Sequence, residues 1–65
     1  MSFILPRLPH ESYQEVVQRV ASKHGLADQC LKYYKDQLRL NLGMSKFEAA
    51  FRTLHAWGLL EWEED

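Results

Sequence analysis

One spacing constrains this chain more than any other: a serine followed three residues later by a glutamate, just ahead of an apolar-periodic run. It occurs at Ser12 and Glu15 and again at Ser45 and Glu48. In such a capping box the serine hydroxyl and the glutamate each satisfy a backbone N–H that a helix start leaves orphaned. A glycine answers each box downstream, Gly25 for the first and Gly58 for the second, where a left-handed residue stops a helix. Gly43 ends a periodic run between them and makes a tight turn into Met44, which precedes the second cap and can staple onto Ala49. These marks divide the chain into helices over 12–24, 28–42 and 46–57. The fold class they imply is all-α, a small three-helix bundle in one domain over 1–65.

Periodicity then assigns faces. In the first helix Tyr13, Val16, Val17, Val20 and His24 fall on one side, with Gln14, Glu15, Gln18, Arg19, Ser22 and Lys23 over the rest. The second helix carries a main stripe of Ala27, Leu31, Tyr34, Leu38 and Leu42, which Cys30 flanks as a small hydrophobe. Tyr33, Gln37 and Leu40 form a second side almost opposite. A helix apolar on two sides is sandwiched or carries an interface. Either the arm Phe3-Ile4-Leu5 covers that second side, or another molecule does. The third helix is expected to bury Phe47, Ala50, Phe51, Leu54 and Trp57 and to expose Ser45, Glu48, Ala49, Arg52 and Ala56. Pro6 and Pro9 keep residues 1–9 an extended arm. Residues 59–65 form a short, extended, acidic tail, and the two extended ends can pair as a ribbon.

With 65 residues, a chain buries only about 60% of the surface its unfolded form exposes, so a shared core is an attractive supplement. Cys30 is the only cysteine, which rules out an intrachain disulfide and suits a reducing compartment. No apolar run approaches the ~20 residues of a membrane span, and the start lacks the basic region of a secretory signal. A soluble, cytoplasmic protein without membrane contact is the expectation. The last five residues hold four of the nine carboxylates, leaving eight Lys/Arg against five Asp/Glu over residues 1–60. That excess falls short of a dedicated DNA-binding footprint.

Ala50-Phe51, Leu54 and Gly58-Leu59-Leu60, with Leu38 and Leu42 before the Gly43-Met44 turn, keep a recurring spacing. Residues 38–60 thereby resemble the recognition unit of helix-turn-helix and winged-helix proteins, which makes the expected bundle HTH-like. The resemblance implies DNA binding through Lys46 and Arg52 with the second-helix cations Lys32, Lys35 and Arg39. Three features depart from the pattern. Arg39 stands where a small residue usually lets the helices cross, Ser45 starts the helix late, and carboxylates follow Leu60 instead of a basic hairpin. Base reading and phosphate contacts need several cations, whereas the expected exposed face offers Arg52 against Glu48.

No pattern for chemistry emerges. His10, His24, His55 and Cys30 show no zinc spacing, and no phosphate loop, nucleophile elbow or paired carboxylates are present. The expectation is a non-enzymatic regulatory protein, without cofactor or metal, that binds another protein and forms a homodimer. Compact regulators and inhibitors of this kind are frequent in phages and mobile elements. The interface is assigned to Phe3, Ile4, Leu5, Tyr33, Gln37, Leu40, Ala49, Arg52, Ala56 and Trp62. DNA binding is the alternative.

Overall fold

The computed structural model describes residues 2–63, with side chains over 3–61. Its elements run β1 (Ser2–Ile4), α1 (Tyr13–Ser22), α2 (Ala27–Leu40), α3 (Lys46–Ala56) and β2 (Glu61–Glu63). The three helices pack on one another as an all-α bundle. Beside them β1 and β2 form an antiparallel ribbon with Ser2 opposite Glu63, Phe3 opposite Trp62 and Ile4 opposite Glu61. Among the described residues no helix is long and apolar enough to cross a membrane.

The starts of α1 and α3 follow from their serines, though not identically. Ser12 Oγ accepts the Glu15 N–H at 3.2 Å, and the Ser12 N–H reaches back to Glu15 Oε1 at 3.4 Å. At α3 only half of the box forms. Ser45 Oγ accepts the Glu48 N–H at 3.1 Å, but the Glu48 carboxylate turns to Arg52 at 3.0 Å. An i,i+4 pair with a guanidinium competes successfully for that carboxylate.

The stops are two copies of one device. Gly25 and Gly58 both have φ of 68°. The Leu26 N–H donates to Ala21 O at 2.9 Å and the Gly25 N–H to Ser22 O at 3.2 Å. In the same pattern Leu59 donates to Leu54 at 2.8 Å and Gly58 to His55 at 3.0 Å. These paired bonds are Schellman motifs, which satisfy terminal carbonyls and turn the next leucine onto the core.

Gly43 behaves differently, and α2 ends at Leu40 rather than at Leu42. The Asn41 N–H and its side-chain amide both donate to Gln37 O, and Asn41 O accepts the Met44 N–H at 2.9 Å. Asn41 therefore builds the stop and the turn, while Gly43 is absent from the positive-φ glycines. Leu42, expected in the core stripe, sits within the turn and is 94% exposed.

The core collects Val16, Val17, Val20 and Ala21 from α1, Cys30 and Tyr34 from α2, Ala49, Ala50, Thr53 and Leu54 from α3, and Leu60. His24, expected on the buried face of α1, lies past the helix end and is exposed. The larger correction concerns α3, which is turned by roughly 60° from the expected face at 3.6 residues per turn. Ala49 is fully buried, whereas Phe47 is 49% exposed and Phe51 and Trp57 are half-buried. Small residues let helices approach closely, so Ala49, Ala50 and Thr53 face inward and the rings flank the contact. Thr53 enters at little cost because its hydroxyl donates to Ala49 O at 2.7 Å.

Candidate protein-interaction surface

The turned helix puts its aromatic residues in a line. Phe47, Phe51 and His55 recur at i, i+4 and i+8 on α3, with Phe47 and Phe51 tilted at 6.1 Å and Phe51 stacked on His55 at 6.3 Å. The line extends at both ends. Tyr13 meets Phe47 edge-on at 5.9 Å, and Phe3 meets His55 edge-on at 5.5 Å. Beyond Tyr13, the Arg7 guanidinium lies 5.1 Å from the ring centroid, a cation–π contact. A strip of rings thus runs from the N-terminal side of α1 to the ribbon. Edge-on and offset contacts are the arrangements aromatic quadrupoles favour. His55 and Phe47 are its exposed members, while Tyr13, Phe51 and Phe3 are half-buried.

The arm that delivers Phe3 and Arg7 is held by Arg19. Its guanidinium donates to both carboxylate oxygens of Glu11, at 2.9 and 3.1 Å, and also to Pro6 O. Glu11 further accepts the Leu8 N–H at 3.2 Å. The Arg7 guanidinium closes the loop on Glu11 O at 2.7 Å. The Arg19 hydrogen bonds, helped by the Leu8 N–H, hold the Glu11 carboxyl below its ordinary value against the opposing effect of burial. Sequence reasoning placed Arg19 on the polar face of α1 and missed this clamp. The signal available was a basic residue one turn before the helix end facing a proline-held segment.

The expected interface residues divide into separate places. Phe3 reaches α3 and its strand pairs with β2, with Ile4 and Leu5 half-buried beside it. Tyr33 is half-buried and meets Trp57 edge-on at 5.3 Å. Gln37 is half-buried and its carbonyl caps the end of α2, whereas Leu40 is 69% exposed beside the exposed Leu42. Ala49 is inaccessible and leaves the interface set. Arg52 and Ala56 are exposed on α3, with Arg52 engaged by Glu48. Trp62 pairs with Phe3 through the ribbon backbone, and its side chain lies outside those described, as do residues 64 and 65 of the acidic tail.

The cations of the DNA-binding alternative divide as well. Arg39 pairs with Asp36 at 3.2 Å and Arg52 with Glu48 at 3.0 Å. Lys32, Lys35 and Lys46 are exposed and outside any ion pair among the described residues. Lys35 and Lys46 share a cleft of about 340 Å³ with the start of α1.

The residues singled out for chemistry do not assemble. His10 and His24 are exposed at the two ends of the α1 region, and His55 belongs to the ring strip. Cys30 is fully buried, and burial pushes its thiol up, which keeps it protonated and unreactive. Among the described residues no group of three or more His, Cys, Asp or Glu could hold a metal ion. No protein-family model, no curated protein and no solved structure matches this chain.

Proposed function

We propose that this domain acts without catalysis, as a small regulator that docks on another protein across the ring strip Tyr13, Phe47, Phe51, His55 and Phe3. The observation that carries this reading is Phe47, a phenylalanine 49% exposed in the middle of a contiguous aromatic run. Scattered apolar residues at a surface need no explanation, but clustered ones mark contact sites. Aromatic side chains lose little rotamer freedom on binding and anchor interface centres. Arg7 at one end of the strip adds a cation suited to an interface rim.

The first partner of this reading is a second copy of the chain, since a small core gains most by being shared and an isologous pair is the commonest arrangement. Sedimentation at high micromolar concentration tests it. Dimers that become monomers in Phe47→Asp, with helical circular dichroism retained, support the strip as the interface. Dimers that survive that change but are lost in Leu40→Glu move the interface to α2. A wild-type monomer removes self-association from the proposal. Submicromolar, sequence-selective duplex DNA binding that Arg52→Ala abolishes would replace the protein-binding reading altogether.

A further inference from the structure

We infer that the cleft between the start of α1, the middle of α2 and the start of α3 binds the dianionic head of a phosphate monoester. This inference does not depend on the ring strip. The cleft has a volume of about 340 Å³, and its walls include Tyr13 and Gln14 from α1, Tyr34, Lys35 and Leu38 from α2, and Lys46 from α3. No carboxylate lines it.

Three kinds of donor belong to the residues that line the cleft. Tyr13 and Gln14 are the first two residues of α1, whose N–H groups precede the first intrahelical bond. Ser12 satisfies the next two, Glu15 through its hydroxyl and Val16 through its carbonyl. Such free N–H groups at the positive end of the helix dipole favour an anion. Lys35 and Lys46 add two ammonium charges that no carboxylate among the described residues engages.

The third donor is the Tyr34 hydroxyl, and it makes this a built site rather than a helix end. Tyr34 is only 2% exposed, and its hydroxyl has no hydrogen-bond partner among the described residues. Among the described residues no buried side-chain polar atom is left fully sealed without a partner, so the phenol oxygen holds part of the residual opening, on the cleft that Tyr34 lines. Burial pushes the phenol up, so it stays a donor.

The donor set selects the ligand class. A phosphate monoester carries about −1.5 to −2 charges near neutral pH and three acceptor oxygens. A carboxylate, with one charge and two oxygens, leaves part of the set unused. Leu38 and the Tyr13 side chain give the cleft an apolar wall, which suits an ester bearing a hydrocarbon or aryl group.

The test is an amide-resolved NMR titration of the whole chain with inorganic phosphate, phenyl phosphate, benzoate and duplex DNA, and with a phosphotyrosine peptide beside its unphosphorylated form. Phenyl phosphate is expected to move the Tyr13 and Gln14 amides, with inorganic phosphate weaker and benzoate weaker still. Lys35→Gln and Lys46→Gln should each weaken binding about tenfold, the scale of one lost charge-assisted contact. Tyr34→Phe should weaken it roughly threefold to tenfold. That variant should melt no lower than the wild type, because the deleted hydroxyl has no protein partner to lose. A phosphopeptide that binds more tightly than phenyl phosphate names a phosphorylated side chain as the source, and equal binding names a free ester; either supports the site. Silent Tyr13 and Gln14 amides at roughly 10 mM phenyl phosphate would overturn it, since two charge-assisted lysine contacts, with the helix N–H groups and the phenol, together reach the binding free energy of a millimolar site. An equal response to benzoate, a response that survives both lysine changes, or DNA acting at lower concentration would do the same.

Discussion

Helices α1 and α3 start from a serine cap and stop on the same glycine motif, yet they bury opposite kinds of side chain. α1 spends its valines on the core, with Val16 and Val17 fully buried and Val20 nearly so, and leaves Tyr13 half-buried at its start. α3 buries Ala49, Ala50, Thr53 and Leu54 and leaves Phe47 half in solvent. Capping and stopping are local chemistry, settled within a turn of sequence. Which side of a helix faces inward is settled by how closely its neighbours can approach, and there small residues defeat large ones. The contrast also separates roles, because the α1 valines are explained by stability alone whereas the rings of α3 are not.

The largest expected effect tests the one large residue that α3 does bury. Leu54→Ala should lower the unfolding free energy by about 2–5 kcal/mol, enough to unfold much of a chain this small at 37 °C. Chemical denaturation in a stabilising osmolyte would measure it. Next comes the close approach itself. Ala49→Leu forces a larger side chain into the helix contact and should cost about 1–3 kcal/mol. If Ala49→Leu is neutral, α3 lies less tightly than described and the contrast with α1 weakens.

A smaller effect is expected at the clamp that joins the arm to α1. Glu11 titrates below its ordinary value of 4.5 in the folded chain. As pH falls, the unfolded state takes up that proton first. The stabilisation from the Arg19 grip is therefore complete above the ordinary carboxylate range and shrinks below it. It is gone once pH drops through the folded value. Thermal melts from pH 6 to pH 2 should show an acid limb that is shallower in Glu11→Gln, and an unchanged limb would mean that other carboxylates carry the acid sensitivity. A modest effect is expected for Phe47→Ala, about 1 kcal/mol, the scale of a half-exposed ring with two aromatic neighbours. Should it cost as much as Leu54→Ala, the ring strip is core and its assignment as a contact surface falls.

The same contrast marks how far the sequence was legible. Both serine caps, both stops at Gly25 and Gly58, the three helices and the burial of the α1 valines follow from spacing, because each rests on residues within a turn of one another. Gly43 was misread because asparagine can close a helix through its own amide, as Asn41 does, and that took Leu42 out of the core. Ala49 and Phe47 exchanged places because helical periodicity scores hydrophobicity, whereas close packing also rewards small size. The candidate surface was legible only in part. Leu40, Arg52 and Ala56 are exposed and Phe3 joins the strip, whereas Ala49 is sealed in the core and Tyr33 is half-buried against Trp57. The clamp at Arg19 and the cleft around Tyr34 join residues distant in sequence, and no local pattern encodes them.

The ribbon gives the fold an uneven response to mechanical load. Because β1 and β2 run antiparallel with Ser2 opposite Glu63, the chain enters and leaves at one end of the ladder. A force applied across those residues pulls along the inter-strand hydrogen bonds rather than across them. It meets the pairs in succession, Ser2 with Glu63, then Phe3 with Trp62, then Ile4 with Glu61, so the ribbon peels at low force. The next obstacle is the Arg19 grip on Pro6 and Glu11. Under tension the domain lengthens by its ribbon while the helices stay packed, and the Phe3 end of the ring strip is the first part to come away.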